Sequence, residues 1–399
     1  MQKILLVENI NPIAKKNLED EGFKVDTLSY SPAEDELIEL LKNYDAVGIR
    51  SKTQITKKVL EQSQHLLAVG CFCIGTNQVD LDTAKEKGIP VFNAPHSNTR
   101  SVAELVIAEM VALSRQLGDR NTACHKGEWM KSAEGSHEVR GKTLGIVGYG
   151  HIGSQVSVLA EGFGLNVVFY DVSKKLPLGN AQSMSCLNEL LEISDFVTLH
   201  VPELPETSQM IGKKELARMK KGSYLINASR GGVVVIDDLV SAIEEGHIAG
   251  CAIDVYPMEP ASNKEEFHSS LQNLPNVILT PHIGGSTEEA QKSIGNEVSE
   301  SFRKYLKIGS TEGAVNFPNV DLPIKHGASR ILNVHLNEPG VLGEINGIIS
   351  RAHANIDGQY LSTDEKIGYI VMDVKSQDAS VIASEIAKLS RSLKTRVVY

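Results

Sequence analysis

The stretch Leu144–Gln155, "LGIVGYGHIGSQ", constrains the fold of this chain more than any other. An apolar run that reads as a buried strand leads into Gly148-x-Gly150-x-x-Gly153, and a helical pattern follows. In such a turn the first glycine bends the chain, the second lets backbone approach a pyrophosphate, and the third lets helix and strand pack closely. The helix N-terminus then offers unpaired N–H groups to the phosphates. Asp171 ends the next strand candidate, "NVVFYD", at the offset of about 20 residues expected of a ribose-binding acid. A carboxylate there accepts from the 2′- and 3′-hydroxyls and repels a 2′-phosphate. The pattern therefore favours NAD over NADP, with Lys174 and Lys175 nearby working weakly the other way.

The turn lies more than a third of the way into 399 residues, a length that suits two or three domains. From Thr143 onward six strand candidates, "TLGIVG", "NVVFYD", "FVTLHV", "SYLINAS", "GCAIDVY" and "NVILTPH", alternate with helices or long loops, the rhythm of a full dinucleotide-binding sheet. Residues 1–95 carry an alternation of their own, "KILLVEN", "KVDTLS", "AVGIRS", "LLAVGCF" and "PVFNAP", without a glycine fingerprint. They predict a separate parallel α/β domain. Asn11-Pro12 reads as an N-cap with proline at the first helical position. Ser101 and Glu104 have the spacing of a capping box at the head of a long helix carrying Val102, Leu105, Val106 and Met110. The loop "HKGEWMK" holds the single tryptophan, Trp129. After a further long helix, "STEEAQKSIGNEVSESFRKYLK", residues 311–328 read as a linker, and from Arg330 the order becomes βαββαβ, a ferredoxin-like split arrangement.

A net charge of −10 argues against a general nucleic-acid binder, which shows a basic face. No apolar run spans a bilayer and "MQKILLVEN" is not a signal peptide, so no membrane partner and a cytosolic (cytoplasmic) location are expected. The five cysteines lack zinc-site spacing and read as reduced structural thiols, with no metal site.

Three further residues fall at successive strand ends, where open α/β sheets bind ligands, and a fourth follows the second of them. Arg230 in "INASRGG" suits a bidentate grip on a carboxylate. Asp254 ends "AIDVY", Glu259 follows in "YPMEP", and His282 closes "LTPHIGG". Each alone is more often structural: a surface ion pair for the arginine, a packed ring for the histidine. Together they suit hydride chemistry on a hydroxy acid, with one group holding substrate, one orienting the base and one moving the proton.

The words "CFCIGTNQVDLDTAKEKGIPVFNAPHSNTRSVAELVI", "GIVGYGHIGSQ", "INASRGG", "AIDVYPMEP" and "LTPHIGGST" resemble the D-isomer-specific 2-hydroxyacid dehydrogenases. Together with the C-terminal domain they resemble most closely the branch acting on D-3-phosphoglycerate, and the likeness covers nearly the whole chain. It implies an α/β fold with a split flavodoxin-like substrate domain (1–98, returning at 286–318), a Rossmann NAD-binding domain (99–285), a linker (319–328) and a ferredoxin-like ACT regulatory domain (329–399), with the active site in the cleft between the first two domains. It implies Arg230 as carboxylate clamp, His282 as acid/base and Glu259 as the partner of its imidazole. Gly148, Gly150, His151, Ile152, Gly153, Asp171, Ala228, Ser229, Arg230, Asp254, His282, Ile283, Gly284 and Gly285 match cofactor positions. Arg50, Ser51, Lys52, Asn98 and Lys131 match substrate contacts, the cations serving the phosphate, and His335, Asn337 and Asn355 match effector positions for L-serine. Pro339-Gly340 beside Asn337 puts free N–H groups where an amino acid's carboxylate would sit.

Also implied are a homotetramer, serine biosynthesis as the setting, feedback inhibition by L-serine and a 2-oxoglutarate reductase side activity. The position of the last domain beyond the linker predicts that deletion of residues 328–399 leaves a chain that turns over but ignores serine. Two positions depart from the pattern: lysine at 52 in place of arginine, which makes a point charge of a fork, and a single glycine in "IKHGAS". A dehydrogenase of another D-2-hydroxy acid, such as glycerate or lactate, is the alternative that the cations Arg50 and Lys52 oppose. A non-catalytic NAD-sensing protein is the alternative that the Arg, Glu and His set opposes.

Overall fold

The computed structural model of the chain describes residues 1–399 except 261–263, 326 and 376–378. The described residues form two compact units, Met1–Ser97 with Gln291–Tyr399, and Asn98–Ala290.

In the first unit, strands β1 (Lys3–Leu6), β2 (Lys24–Thr27), β3 (Ala46–Ile49), β4 (Ala68–Cys71) and β5 (Val91–Phe92) make a parallel sheet in the order β2-β1-β3-β4-β5. The period of two along a strand divides its side chains. Ile4 and Leu6 join one apolar cluster and Leu5 and Val7 the other, so the sheet is covered on both faces. The helix Pro12–Asp20 starts as expected, with Asn11 Oδ1 accepting from Ile13 N at 3.0 Å and proline in the first turn. Strand order reverses between β1 and β3, the switch point at which such sheets bind ligands.

The second unit holds β6 (Thr143–Val147), β7 (Asn166–Tyr170), β8 (Gln182–Ser183), β9 (Phe196–Leu199), β10 (Ser223–Asn227), β11 (Ile248–Ile253) and β12 (Val277–Leu279). Their order, β12-β11-β10-β9-β6-β7-β8, is parallel throughout, the doubly wound dinucleotide-binding topology. Seven strands stand where six were expected, because β8 is two residues long and leaves no pattern. The capping box is not formed. The helix runs Thr99–Ser114 from an Asn98 cap without a side-chain bond, which puts Ser101 inside it. Ser101 Oγ instead lies 2.8 Å from Thr287 Oγ1, and Glu104 accepts from Arg100 Nε at 2.6 Å.

The last sheet belongs to the first unit. Strands β13 (Ser329–Leu336), β14 (Asn355–Thr363), β15 (Ile367–Lys375) and β16 (Ser392–Val397) pair antiparallel in the order β14-β15-β13-β16, with helices Val341–Arg351 and Ala379–Ala387. These helices cover one face, where their Ile345 and Ile382 join Ile331 of β13 and Ile370 of β15 in one core. The other face is not open. Leu332, Val334, Ile367, Tyr369 and Val371 share a core with Phe92 and with Phe302, Tyr305 and Leu306 of the helix Glu288–Ile308.

Residues 311–323 are not a loose tether either. Thr311, Asn316, Phe317 and Val320 are buried. Arg330 donates to the carbonyls of Ile308, Leu322 and Pro323, and its guanidinium forks onto Asp373 with two bonds of 2.7 Å. In the "IKHGAS" segment Gly327 has φ +82°, and His326 lies outside the described residues.

Candidate active site

Gly148 has φ +91°, and a Cβ there would come within 2.4 Å of the His200 carbonyl oxygen, so the first turn position tolerates only glycine. A Cβ at Gly153 would meet the Gly148 carbonyl oxygen at 2.1 Å, which is the close helix–strand approach expected of the third glycine. The helix His151–Gly162 begins at Gly150 with no side-chain cap, leaving its first turn to an external anion. Asp171, just beyond β7, accepts from Tyr149 N at 2.8 Å and from Ser173 N and Oγ at 2.9 and 2.8 Å. Burial raises its pKa, but these bonds and the nearby Lys175 outweigh burial and hold the carboxyl below its usual range. The acid therefore presents a negative charge beside the glycine turn. Open backbone at the turn and a carboxylate at the ribose position fit NAD.

Strands β10, β11 and β12 are neighbours in register, Asn227 opposite Ile253 and Ile253 opposite Leu279. Their carboxyl ends deliver the proposed chemistry side by side. Asn227 shapes the first: its Oδ1 accepts from Ser229 N and Oγ, and its Nδ2 donates to the Arg230 carbonyl. Ala228 is partly buried against the core and Ser229 is buried. The Arg230 guanidinium is half-buried and steadied by a 2.7 Å bond to the Ser229 carbonyl.

Asp254, 1 % exposed, binds the third strand's loop: Oδ1 accepts from Thr280 Oγ1 (2.6 Å) and Ile283 N (2.8 Å), and Oδ2 from Gly284 N (2.8 Å). Its carboxylate thus orders the "HIGG" backbone. Gly285 packs against Asn98, whose Nδ2 would lie 2.5 Å from a Cβ there.

His282 occupies the left-handed region, φ +54°, a conformation held by its surroundings at a cost of order 1 kcal/mol. Its Nδ1 lies 2.9 and 3.0 Å from the two carboxylate oxygens of Glu259, and Glu259 is itself fastened by Tyr256 N at 3.2 Å. With Nδ1 engaged as donor, Nε2 is the nitrogen left to exchange a proton. Behind Asp254, on the helix Thr99–Ser114, Glu109 is 4 % exposed and neither of its oxygens has a partner among the described residues. Burial, with Asp254 adding to it, pushes its carboxyl up to about 8. At neutral pH the Glu109 carboxyl therefore keeps its proton for the most part.

The remaining expected residues lie on other elements. Arg50, Ser51 and Lys52 form the turn after β3 in the first unit, half-buried, exposed and exposed respectively. Lys131 is exposed in the second unit, in an open pocket that Arg115, Arg120 and His137 also line. In the last sheet Asn337 and Asn355 are exposed, and Asn337 Nδ2 donates to the Asp364 carbonyl at 2.6 Å. His335 differs from what an effector ligand needs. It is 3 % exposed, Nδ1 is 2.9 Å from Asn333 Oδ1, and the ring packs on Gly368, so it supports the sheet from inside. Thr280 and Asn227 were not among the expected residues. Each lies within three positions of one that was, and polarity on a strand end was their only signal.

Residues 107–284 match the family described as D-isomer specific 2-hydroxyacid dehydrogenase, NAD binding domain, and residues 331–394 match an AHAS small subunit-like ACT domain. A D-3-phosphoglycerate dehydrogenase of Dictyostelium discoideum is 53 % identical over 397 residues, covering 100 % of this chain and 97 % of the relative. That of Escherichia coli K12 is 50 % identical over 400 residues with the same coverage. The solved D-lactate dehydrogenase of Aquifex aeolicus, complexed with NAD and lactic acid, is 29 % identical with a TM-score of 0.68, covering 79 % of this chain and 100 % of that one. The chain belongs to the D-3-phosphoglycerate dehydrogenases, a branch of the D-isomer-specific 2-hydroxyacid dehydrogenases, carries an ACT domain at its C-terminal end, and uses NAD as its cofactor.

Proposed function

We propose that the protein oxidises D-3-phosphoglycerate to 3-phosphohydroxypyruvate as the first step of L-serine biosynthesis, and that L-serine inhibits it through the ACT domain. The observation that carries the chemistry is the His282–Glu259 pair beyond the end of β12, in which the Nδ1 N–H is shared between the two carboxylate oxygens. A histidine held this way speaks against a protein that only senses NAD. The substrate reading rests on identity of 50 % and more with phosphoglycerate dehydrogenases over the full chain.

Bound NAD supplies the hydride acceptor. Arg230 grips the substrate carboxylate and so orients C2. His282 Nε2 takes the proton of the C2 hydroxyl as the hydride leaves C2, and the Glu259 carboxylate stabilises the imidazolium that forms. In the reverse direction the imidazolium returns that proton, which also suits reduction of 2-oxoglutarate to 2-hydroxyglutarate. Arg50 and Lys52 serve the phosphate, with Ser51, Asn98 and Lys131 as further contacts. Asn337 and Asn355 serve serine. We place this activity in a cytosolic homotetramer. Among the described residues no helix is long and apolar enough to cross a membrane. Initial rates with D-3-phosphoglycerate, D-glycerate and D-lactate, each with and without L-serine, test the proposal. A preference for the phosphorylated acid and inhibition by serine are expected. Equal kcat/KM on all three acids would reassign the substrate.

A further inference from the structure

Glu8 lies two residues past the end of β1 and is 9 % exposed, yet it has no part in the catalytic or cofactor sets above. It and Asn9 both take left-handed backbone, φ 62° and 53°. Its carboxylate gathers the main chain of one turn. Oε1 accepts from Arg50 N (3.0 Å) and Thr53 N (2.8 Å), and Oε2 accepts from Lys52 N (3.0 Å). The opposite side of the turn is pinned by Gln78 Nε2, 2.8 Å from the Arg50 carbonyl, and Ser31 Oγ lies 2.8 Å from Thr53 Oγ1. This is the turn at the reversal point of the first sheet, and it carries the cations assigned to the substrate's phosphate.

Bonds from N–H groups to a carboxylate are charge-assisted and stronger than those to a neutral acceptor. Three of them on one side chain give the turn a single backbone arrangement. They also divide the recognition chemistry. With the amides of Arg50, Lys52 and Thr53 consumed, the Ser51 amide is the one in this turn without an acceptor among the described residues. An incoming anion therefore meets that amide, the Ser51 hydroxyl and the cationic side chains, instead of a nest of backbone N–H groups. We propose that Glu8 is a positioning residue that sets the Arg50–Lys52 turn for a phosphorylated substrate. This rests on the reading of that turn as the substrate's phosphate site.

Glu8→Gln tests it in the full-length protein. The amide keeps one acceptor oxygen but turns an NH2 toward the Lys52 N–H, so one bond is replaced by a donor–donor contact. KM for D-3-phosphoglycerate should rise about tenfold or more, the scale of one charge-assisted bond lost, while kcat and NAD affinity stay within about threefold. KM for unphosphorylated D-glycerate should change much less. Were Glu8 merely holding the fold, KM for the two acids would change together, alongside kcat and thermal stability. That result would overturn the proposal, as would an unchanged KM. Arg50→Ala and Lys52→Ala run in parallel separate the two readings. If they raise KM and Glu8→Gln does not, the assignment of Glu8 fails and the phosphate site stands. If none of the three raises it, the turn is not the phosphate site and both fail. Should Glu8→Gln not fold, Glu8→Asp decides. It keeps the charge on a shorter stem, and a raised KM for the phosphorylated acid alone supports the role, whereas wild-type kinetics would overturn it.

Discussion

His282, Glu259 and Asp254 divide the work of one site by environment. Asp254 is buried and saturated with three donors, so it builds backbone, whereas Glu259 and His282 are partly exposed and face each other. Glu259→Gln keeps a bond to Nδ1 but removes the charge opposite the imidazolium. Its kcat should fall by at least about tenfold with KM for NAD unchanged, as measured by initial rates.

Glu109 is the residue with a pH signature. Its carboxyl titrates near 8 in the fold against an ordinary value of 4.5. Above 4.5 the unfolded chain has released this proton while the folded chain still holds it. This group's contribution to stability therefore declines from about pH 4.5 to about pH 8, by roughly 1.4 kcal/mol per pH unit at most. Glu109→Gln, neutral throughout, should melt higher than wild type at about pH 7.5 and closer to it at about pH 5. A pH-independent gap between the melting curves would mean that Glu109 ionises normally.

At the scale of elements, local chemistry explains what could be read in advance. The glycine turn, the Asn11-Pro12 helix start and the βαββαβ order depend on near neighbours in sequence, and all three are present. The Ser101–Glu104 capping box was misplaced because a cap depends on where the chain enters the helix, and here it enters at Asn98. The role of Glu8 was not legible, because its partners lie more than forty residues away on another strand end. Asp171 couples two elements, the end of β7 and the glycine turn. Asp171→Ala should therefore raise KM for NAD about tenfold or more through lost hydroxyl and turn contacts, and improve kcat/KM for NADP by removing the charge that repels its 2′-phosphate. A variant with unchanged cofactor preference would leave Lys174 and Lys175 as the residues to examine.

For the whole molecule, the main departure from expectation is the C-terminal sheet. β13 and β15 are buried along nearly their whole length, which means both faces are covered. The unbroken apolar run "YIVM" was the available signal, since a sheet open on one side alternates. Removal of residues 328–399 would uncover Phe302, Tyr305 and Leu306. Loss of stability or aggregation is therefore expected of the truncated chain, in place of the separable module implied by a linker. Its melting temperature, and its size by chromatography, would check this. Point substitutions are the cleaner probe of regulation. Asn337→Ala should relieve serine inhibition at unchanged KM, because the side chain that holds the Asp364 turn is lost, while wild-type serine sensitivity in both Asn337→Ala and Asn355→Ala would place the effector elsewhere. The most direct test of the chemistry is NADH formation from D-3-phosphoglycerate by the full-length chain and by His282→Ala. The wild type should turn over, and the variant should lose at least about 100-fold in kcat with NAD affinity intact. No turnover by the wild type, or a variant that reacts at its rate, would contradict the proposed mechanism.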